Sequence, residues 1–415
     1  MSKVVRRRWF SDSSGQTKGD RRSCEYEAYV PDHLLARSFS LDGDVAADVA
    51  DAEAAIARLN VEASSLIDTE ALARILLRAE AVASSRIEGL NIGARRLLHA
   101  EAPSDVTATE VLGNIDAMVF AVGAVEAGDP ITVDLLLDVH RRLLAGLWLE
   151  QYAGKVRDRQ NWIGGSSYNP CSAAYVPPPP ELVEELLNDL CAFCCTDDLP
   201  AVVQAAIAHA QFETIHPFVD GNGRTGRALI HLVLRRRGLT LRVLPPVSLI
   251  LATWAKTYVN GLNGVRYRGP ATSKEAHVGM NQWIAQFAGA CTRAVADAGK
   301  FEARARDIEN SWRERVRTVR KNSAADLILR ALPGAPVVTV NSAAVLIGRT
   351  YPAANKAISQ LVDAGVLKQI NIGRRNRAYE APEMIAAFTH LERQLASPEG
   401  DTRTSNPTRT VPQPR

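Results

Sequence analysis

Twelve consecutive residues carry the densest chemistry in the chain: His216-Pro217-Phe218-Val219-Asp220-Gly221-Asn222-Gly223-Arg224-Thr225-Gly226-Arg227. A histidine titrates near neutral pH, so His216 can take a proton from a hydroxyl. Asp220, four residues on, is placed to hold a hard cation such as Mg²⁺ that bridges phosphate oxygens. Gly221, Asn222 and Gly223 follow it. If they open a helix, their free amides and small side chains let a phosphate approach closely. Arg224 and Arg227, three apart, project from one face of that first turn, where a cation opposes the helix dipole unless an anion is present. Two guanidiniums suit a polyphosphate. Together these residues describe transfer of a phosphate ester to a hydroxyl.

The elements that must position this set can be read on either side of it. The preceding VVQAAIAHAQFETI has helical period, and a helix from about Arg224 to Arg237 is closed by Gly238, with Arg235, Arg236 and Arg237 complementing its C-terminal end. The run literally contains GxGxxG, but a dinucleotide-binding reading needs a strand before the glycines and an acid about 20 residues after them. Neither is present. No Lys-Ser/Thr follows the glycines either, so the phosphate loop of NTPases is excluded. From Gly221 to Lys274 there are ten Lys or Arg and no Asp or Glu, whereas the whole chain has 49 basic and 46 acidic residues, a net charge of +3. The basic surplus is local to the glycines.

The chain has 415 residues, 46% hydrophobic and 23% charged, which fits two or three globular domains and excludes a disordered, collagen-like or disulfide-scaffold protein. Apolar residues recur at helical spacing, as in Leu72, Ile75, Leu76, Ala79 and Ala83, or Leu135, Leu136, Val139, Leu143 and Leu144. Six cysteines (Cys24, Cys171, Cys191, Cys194, Cys195, Cys291) show no framework spacing, which fits buried thiols in a reducing compartment. Cys191 and Cys194 have metal-like spacing but lack a second pair to complete a zinc site. With no long apolar run and no secretory signal, the expectation is a cytoplasmic protein without membrane contact. Residues 1–23 and 397–415 are expected to be disordered tails. Residues 153–180 (AGKVRDRQNWIGGSSYNPCSAAYVPPPP) are expected to form a β-hairpin flap or long loop. A charged helical connector, about Met280 to Lys321, leads to residues 323–390. There a helix, a helix-turn-helix and a two-stranded hairpin predict a winged helix-turn-helix module.

The central run resembles the Fic family, whose signature is HPFx[DE]GNGRxxR, and every specified position is matched. The resemblance implies a mainly α fold: a Fic-type helical core with a small β-hairpin flap, followed here by the winged α+β module. It implies a protein adenylyltransferase that moves AMP from ATP to a Ser, Thr or Tyr hydroxyl and releases pyrophosphate. His216 would be the base, Phe218 a core residue and Asp220 the Mg²⁺ ligand. Gly221, Asn222 and Gly223 would hold the α and β phosphates, Arg224 a phosphate and Arg227 the γ-phosphate, with Thr225 and Gly226 completing the nucleotide-binding run. The Gly223-Arg224 pair favours nucleotidyl transfer over the kinase-like Doc branch. Trp162, Ile163, Gly164 and Gly165 resemble the family's target-binding flap, and Tyr258 matches a tyrosine beside the nucleotide.

Ser84-Ser85-Arg86-Ile87-Glu88-Gly89 resembles the inhibitory motif [ST]xxxE[GN] found N-terminal to the core in some Fic proteins. A helix from about Thr69 would place Glu88 in its last turn, on one face with Ser84. By resemblance, Glu88 would pair with Arg227 and displace the γ-phosphate. The implied organisation is a helical region 24–110 with this brake, a catalytic core 111–290, a connector 291–322 and the winged module. Removal of AMP and transfer of another phosphate-containing group stay open, as do modification of the protein itself and a homodimer. A DNA-binding regulator is the reading from another class. The helix Tyr351–Ala364 would enter the major groove, with Arg374, Arg375 and Arg377 on the wing, and docking to protein is the alternative.

Overall fold

Helices carry most of the chain, as its apolar spacing requires. The computed structural model describes residues 1–10, 17–64, 69–92, 106–316, 319–372 and 376–394. Strands β1 (Lys3–Trp9) and β2 (Cys24–Val30) are followed by helices α1 (Gly43–Ser64), α2 (Thr69–Ile87), α3 (Val106–Gly123) and α4 (Val133–Leu144). Next come α5 (Val183–Cys194), α6 (Ala201–Ile215), α7 (Asn222–Arg236), α8 (Val247–Thr253), α9 (Ala255–Gly264) and α10 (Lys274–Val316). The C-terminal part contains α11 (Ala324–Ala331), β3 (Val337–Val338), α12 (Val340–Leu346), α13 (Tyr351–Asp363), β4 (Lys368–Ile372), β5 (Asn376–Glu380) and α14 (Pro382–Gln394). By compactness the chain divides into residues 1–53, 116–239 and 256–289 in one unit and 54–115, 240–255 and 290–415 in the other.

The first unit is built around α6, whose every residue is buried. Such a helix needs no polar face, which is why Val202, Ala205, Ala206 and Ile207 alternate with other small and apolar residues. Helix α7 lies directly against it, and Gly226 permits the approach: a Cβ there would sit 2.8 Å from the Phe212 ring and 2.6 Å from Glu213 Oε1. Trp283, from the first part of α10, is fully buried and donates its indole N–H to the Ala206 carbonyl at 2.8 Å.

Two expectations about the N-terminal region are corrected. Residues 3–9 are a strand, not a tail, paired antiparallel with β2 from Lys3↔Val30 to Trp9↔Cys24, so region 24–110 also does not begin as helix. Their basic run hides the contacts that fix them: Trp9 meets Trp162 edge-on at 5.2 Å, and the neighbouring Ser2 Oγ donates to the Tyr267 carbonyl at 2.8 Å. Cys24 and Cys171, 147 residues apart, are joined as a disulfide with Cα atoms 5.7 Å apart. The reading of all six cysteines as unpaired is corrected, and the argument for a reducing compartment loses that support. Cys191, Cys194, Cys195 and Cys291 are free thiols.

In the second unit, Leu59, Leu76, Val243 and Ala298 form one apolar cluster and Val82, Ile92, Ala108 and Val111 another. Glu80 is fully buried and accepts from the Ser248 amide at 2.7 Å, so its carboxylate sits at the N-terminus of α8 where the dipole favours it. Helix α3 has the length and apolar content of a membrane-crossing segment. It also carries Glu110 and Asp116, and its buried Asn114 donates to the Ala81 carbonyl at 2.7 Å, as a core helix does.

The three helices and two strands expected in the C-terminal module are present; the expected turn at 373–375 lies outside the described residues. Its sheet has the order β3-β5-β4, both pairings antiparallel. Helix α12 starts two residues before the expected Ser342 because Thr339 and Ser342 form a capping box. Strand β3 and helix α14 were not foreseen. Residues 395–415, which include the expected C-terminal tail, lie outside the described residues.

Candidate active site

The His216–Arg227 run is the corner between α6 and α7, and its backbone is held tightly. His216 ends α6 in the left-handed region (φ 50°), rare for a residue with a side chain, and its amide donates to the Phe212 carbonyl at 2.8 Å. Phe218 is fully buried, as expected, and stacks on the ring of His140 at 3.8 Å and 2°. Asn222 closes the turn: its Oδ1 accepts from the Phe218 amide at 2.8 Å and its Nδ2 donates to the Phe218 carbonyl at 2.9 Å. Gly221 caps α7 at φ 77°, and a Cβ on it would lie 2.8 Å from Leu143. The helix therefore begins at Asn222, two residues before the expected Arg224. Its first amides have no intrahelical acceptors.

Polar groups crowd this helix start. Arg224 is 3% exposed, and its Nη2 lies 3.4 Å from Asp220 Oδ2. Arg224 Nε and Nη1 and the hydroxyl of Thr225 are buried without a hydrogen-bond partner among the described residues. Buried donors are nearly always paired, so these await an acceptor. Arg227 is 1% exposed on the same helix. His216 Nδ1 lies 3.8 Å from Glu213 Oε2, an ion pair when the ring is protonated. The Asp220 carboxylate is half exposed. Among the described residues no group of three or more His, Cys, Asp or Glu converges on a metal site. A half-exposed carboxylate at a helix start is of the hard-oxygen type that a magnesium shared with phosphate oxygens and water would take.

Two histidines that sequence reasoning missed support the corner. His140, on α4, accepts the Gly154 amide at Nδ1 (3.1 Å), so its Nε2–H donates to the Asp220 carbonyl (3.0 Å). Burial pushes its pKa down to about 4. His209, on α6, meets the Gly226 carbonyl through Nδ1 (2.9 Å) and the Tyr258 hydroxyl through Nε2 (2.8 Å). Burial, then the Arg227 charge, lowers its pKa to about 3. Both are neutral imidazoles: His140 bridges two backbone groups, and His209 bridges a backbone carbonyl to a side chain. Polar residues inside apolar helical stretches were the available signal. Tyr258 is 5% exposed, held by His209 and facing Trp283 at 6.0 Å, so its ring is packed among side chains.

The expected hairpin flap is a long loop pinned by one bridge, Ile163↔Tyr175, with Ile163 N–H donating to the Tyr175 carbonyl at 2.8 Å. Gly164 and Gly165 both have φ 75°, and a Cβ on Gly165 would lie 2.5 Å from the Ser172 carbonyl. Trp162 donates to the Ser166 carbonyl at 2.7 Å. The loop is anchored to the N-terminal hairpin through the disulfide and through Asn169 Nδ2, which donates to the Gly19 and Asp20 carbonyls at 3.0 and 2.8 Å.

Ser84 is buried near the end of α2, whereas Glu88 is exposed in the turn after it, so the expected placement of Glu88 in the last helical turn with Ser84 is corrected by one residue. Arg377 is exposed on β5, and Arg374 and Arg375 lie outside the described residues.

Residues 130–234 match the Fic/DOC family model, and residues 46–123 match the Fic/DOC N-terminal model. The chain is 36% identical over 132 residues to protein adenylyltransferase fic-1 of Caenorhabditis elegans, covering 32% of this chain and 24% of that protein. It is 33% identical over 142 residues to protein adenylyltransferase Fic of Nematostella vectensis, covering 33% of this chain and 30% of that one. The chain thus spans less than a third of the length of these relatives. In fold it is similar to the crystal structure of a Fic family protein from Desulfovibrio desulfuricans G20, with a TM-score of 0.51 and 21% identity over 83% of this chain and 97% of that one.

Proposed function

Because residues 46–123 and 130–234 match the Fic/DOC family models, we propose that this chain is an autoinhibited protein adenylyltransferase of that family acting through the α6–α7 corner. The observation that carries the reading is the buried Arg224 guanidinium, with Nε and Nη1 unmatched at the start of α7. An ATP polyphosphate supplies the acceptors these donors lack. The target hydroxyl oxygen attacks the α-phosphorus while His216 takes its proton. The bond from that phosphorus to the bridging oxygen breaks, and pyrophosphate leaves with the electron pair. Asp220 would hold magnesium, which neutralises phosphate charge when bound. The exposed flap at Ile163–Gly165 registers the target chain, whether another protein or a second copy of this one. Autoinhibition is assigned to Ser84 and Glu88, the latter exposed after α2.

The test uses α-labelled ATP. Glu88→Gly is expected to raise protein labelling several-fold, and His216→Ala in that background to lower it roughly 10²–10⁴-fold, the contribution of a positioned base. Undiminished labelling in the double variant would sink the mechanism.

A second reading, DNA contact by a winged module, is favoured by one observation. Helix α13 buries Ala354, Ala357, Ile358 and Leu361 and exposes Tyr351, Asn355, Lys356 and Ser359, a polar face of the kind a recognition helix offers to the major groove.

A further inference from the structure

Arg157 has no role in the chemistry above, yet its guanidinium bonds four backbone carbonyls at and around the corner. It is 3% exposed. Its Nε donates to the His216 carbonyl at 2.9 Å, and Nη2 to the Ile215 carbonyl at 3.3 Å. The same Nη2 donates to the Pro178 carbonyl at 2.6 Å, and Nη1 to the Arg159 carbonyl at 3.1 Å. Its backbone N–H donates to the Pro217 carbonyl at 2.9 Å. One residue therefore spans the end of α6, the catalytic histidine and both arms of the flap, since Arg159 precedes Ile163 and Pro178 follows Tyr175.

The choice of arginine has a physical reason. A buried guanidinium offers five donors in a fixed plane, and the carbonyls at a helix C-terminus carry the partial negative charge that a cation needs in place of a carboxylate. Burial lowers the Arg157 pKa to about 10, so it remains charged at neutral pH. His216 pays for its left-handed backbone in strain, and such a conformation persists only where its surroundings over-determine it. The Arg157 bond to the His216 carbonyl, seconded by Asn161 Nδ2 at 3.3 Å, supplies that determination.

We propose that Arg157 is a positioning residue that locks the His216 backbone and the two arms of the flap into one unit, so that the hydroxyl presented by the flap and the base that deprotonates it share a fixed distance. This rests on the proposed transfer reaction. Lysine cannot reproduce it, because one ammonium cannot reach carbonyls on three segments at once.

The experiment compares Arg157→Lys with its Glu88→Gly parent in three measurements: ATP affinity by calorimetry, steady-state AMP transfer and amide hydrogen exchange. The expected result is a kcat lower by roughly 10–100-fold, as misplacement of a reacting group produces. ATP affinity should stay within twofold, and exchange should quicken at residues 159–178 and 215–218 together. A loss of folded protein alone would lower ATP binding capacity and transfer in proportion. Should the lysine variant not fold, Arg157→Gln leaves no unpaired buried charge and is expected to show the same pattern. Unchanged exchange in either segment, or an unchanged kcat in a parent that transfers AMP, overturns the proposal. A parent that transfers nothing overturns the functional reading instead, and the exchange data still decide the role of Arg157.

Discussion

Two helical corners of this molecule, each a helix, a turn with a positive-φ glycine and a second helix, differ in what they bury. In the corner α12–α13 the chain turns at Gly348 (φ 60°), where a side chain would meet nothing within 4 Å, and the helices bury Ala343, Ala344, Ala354, Ala357, Ile358 and Leu361. Its polar residues point to water. In the corner α6–α7 the turn uses a strained His216 as well as Gly221, and it buries Glu213, Arg224, Thr225 and Arg227. An apolar corner is complete once it has folded. A corner that buries two guanidinium donors and a hydroxyl without partners among the described residues has room for further acceptors, because each buried unpaired donor costs on the order of 1–3 kcal/mol. The difference separates a corner with charged groups inside from one that keeps its polar groups on its surface.

The largest expected effect breaks that distinction directly. Arg224→Met should weaken ATP roughly 10–100-fold, the loss of one or two charge-assisted hydrogen bonds, and leave any binding of duplex DNA unchanged. Lys356→Ala should do the reverse, reducing the salt slope of DNA binding by about 1 and leaving ATP untouched. Calorimetry with ATP and DNA titrations at several salt concentrations check the pair. ATP affinity unchanged in Arg224→Met would mean that its buried donors do not face the nucleotide.

A methyl group placed in each corner gives a smaller effect. Gly226→Ala inserts a Cβ 2.8 Å from the Phe212 ring and 3.3 Å from His209, and overpacking of this kind costs about 1–3 kcal/mol. Gly348→Ala meets no neighbour but forces a side chain into the left-handed region, at about 1–2 kcal/mol. Denaturant midpoints measure both. ATP affinity of the folded protein distinguishes them, because it should fall only in Gly226→Ala, whose helix carries the phosphate-facing donors.

The residues of the first corner were legible as one cluster because they are consecutive: a histidine, an acid, glycines and arginines sit within one turn and one helix start. The helical periods of α4, α6 and α13 were legible for the same local reason. What escaped the sequence depends on distant partners or on the backbone. Arg157 bonds to carbonyl oxygens, which every residue possesses, so no pattern of residue types announces it. Cys24 and Cys171 are 147 residues apart. The strand Lys3–Trp9 is disguised by three arginines whose neighbours Val4, Val5 and Trp9 find their contacts only once β2 is beside them.

The smallest effect separates the corners by pH. His140 titrates at the ordinary 6.5 when unfolded and near 4 when buried, so between those values the unfolded chain binds the extra proton, and stability falls as pH falls. From pH 7 to 5.5 this amounts to roughly 1 kcal/mol for that residue, at about 1.4 kcal/mol per unit below 6.5. His140→Gln can still donate to the Asp220 carbonyl and accept from the Gly154 amide, and it does not titrate, so it should flatten this part of the curve. The C-terminal module responds lower. Burial raises the pKa of Asp326, but hydrogen bonds from Arg313 and the Asn322 amide, with the Arg330 charge, hold it below 3.8, and its contribution is lost only as pH falls through that depressed value. Hydrogen exchange followed from pH 7 to 3.5 should therefore loosen the α6–α7 corner first. Loosening of both corners at one pH would show that the buried imidazoles do not set the acid limit of the site.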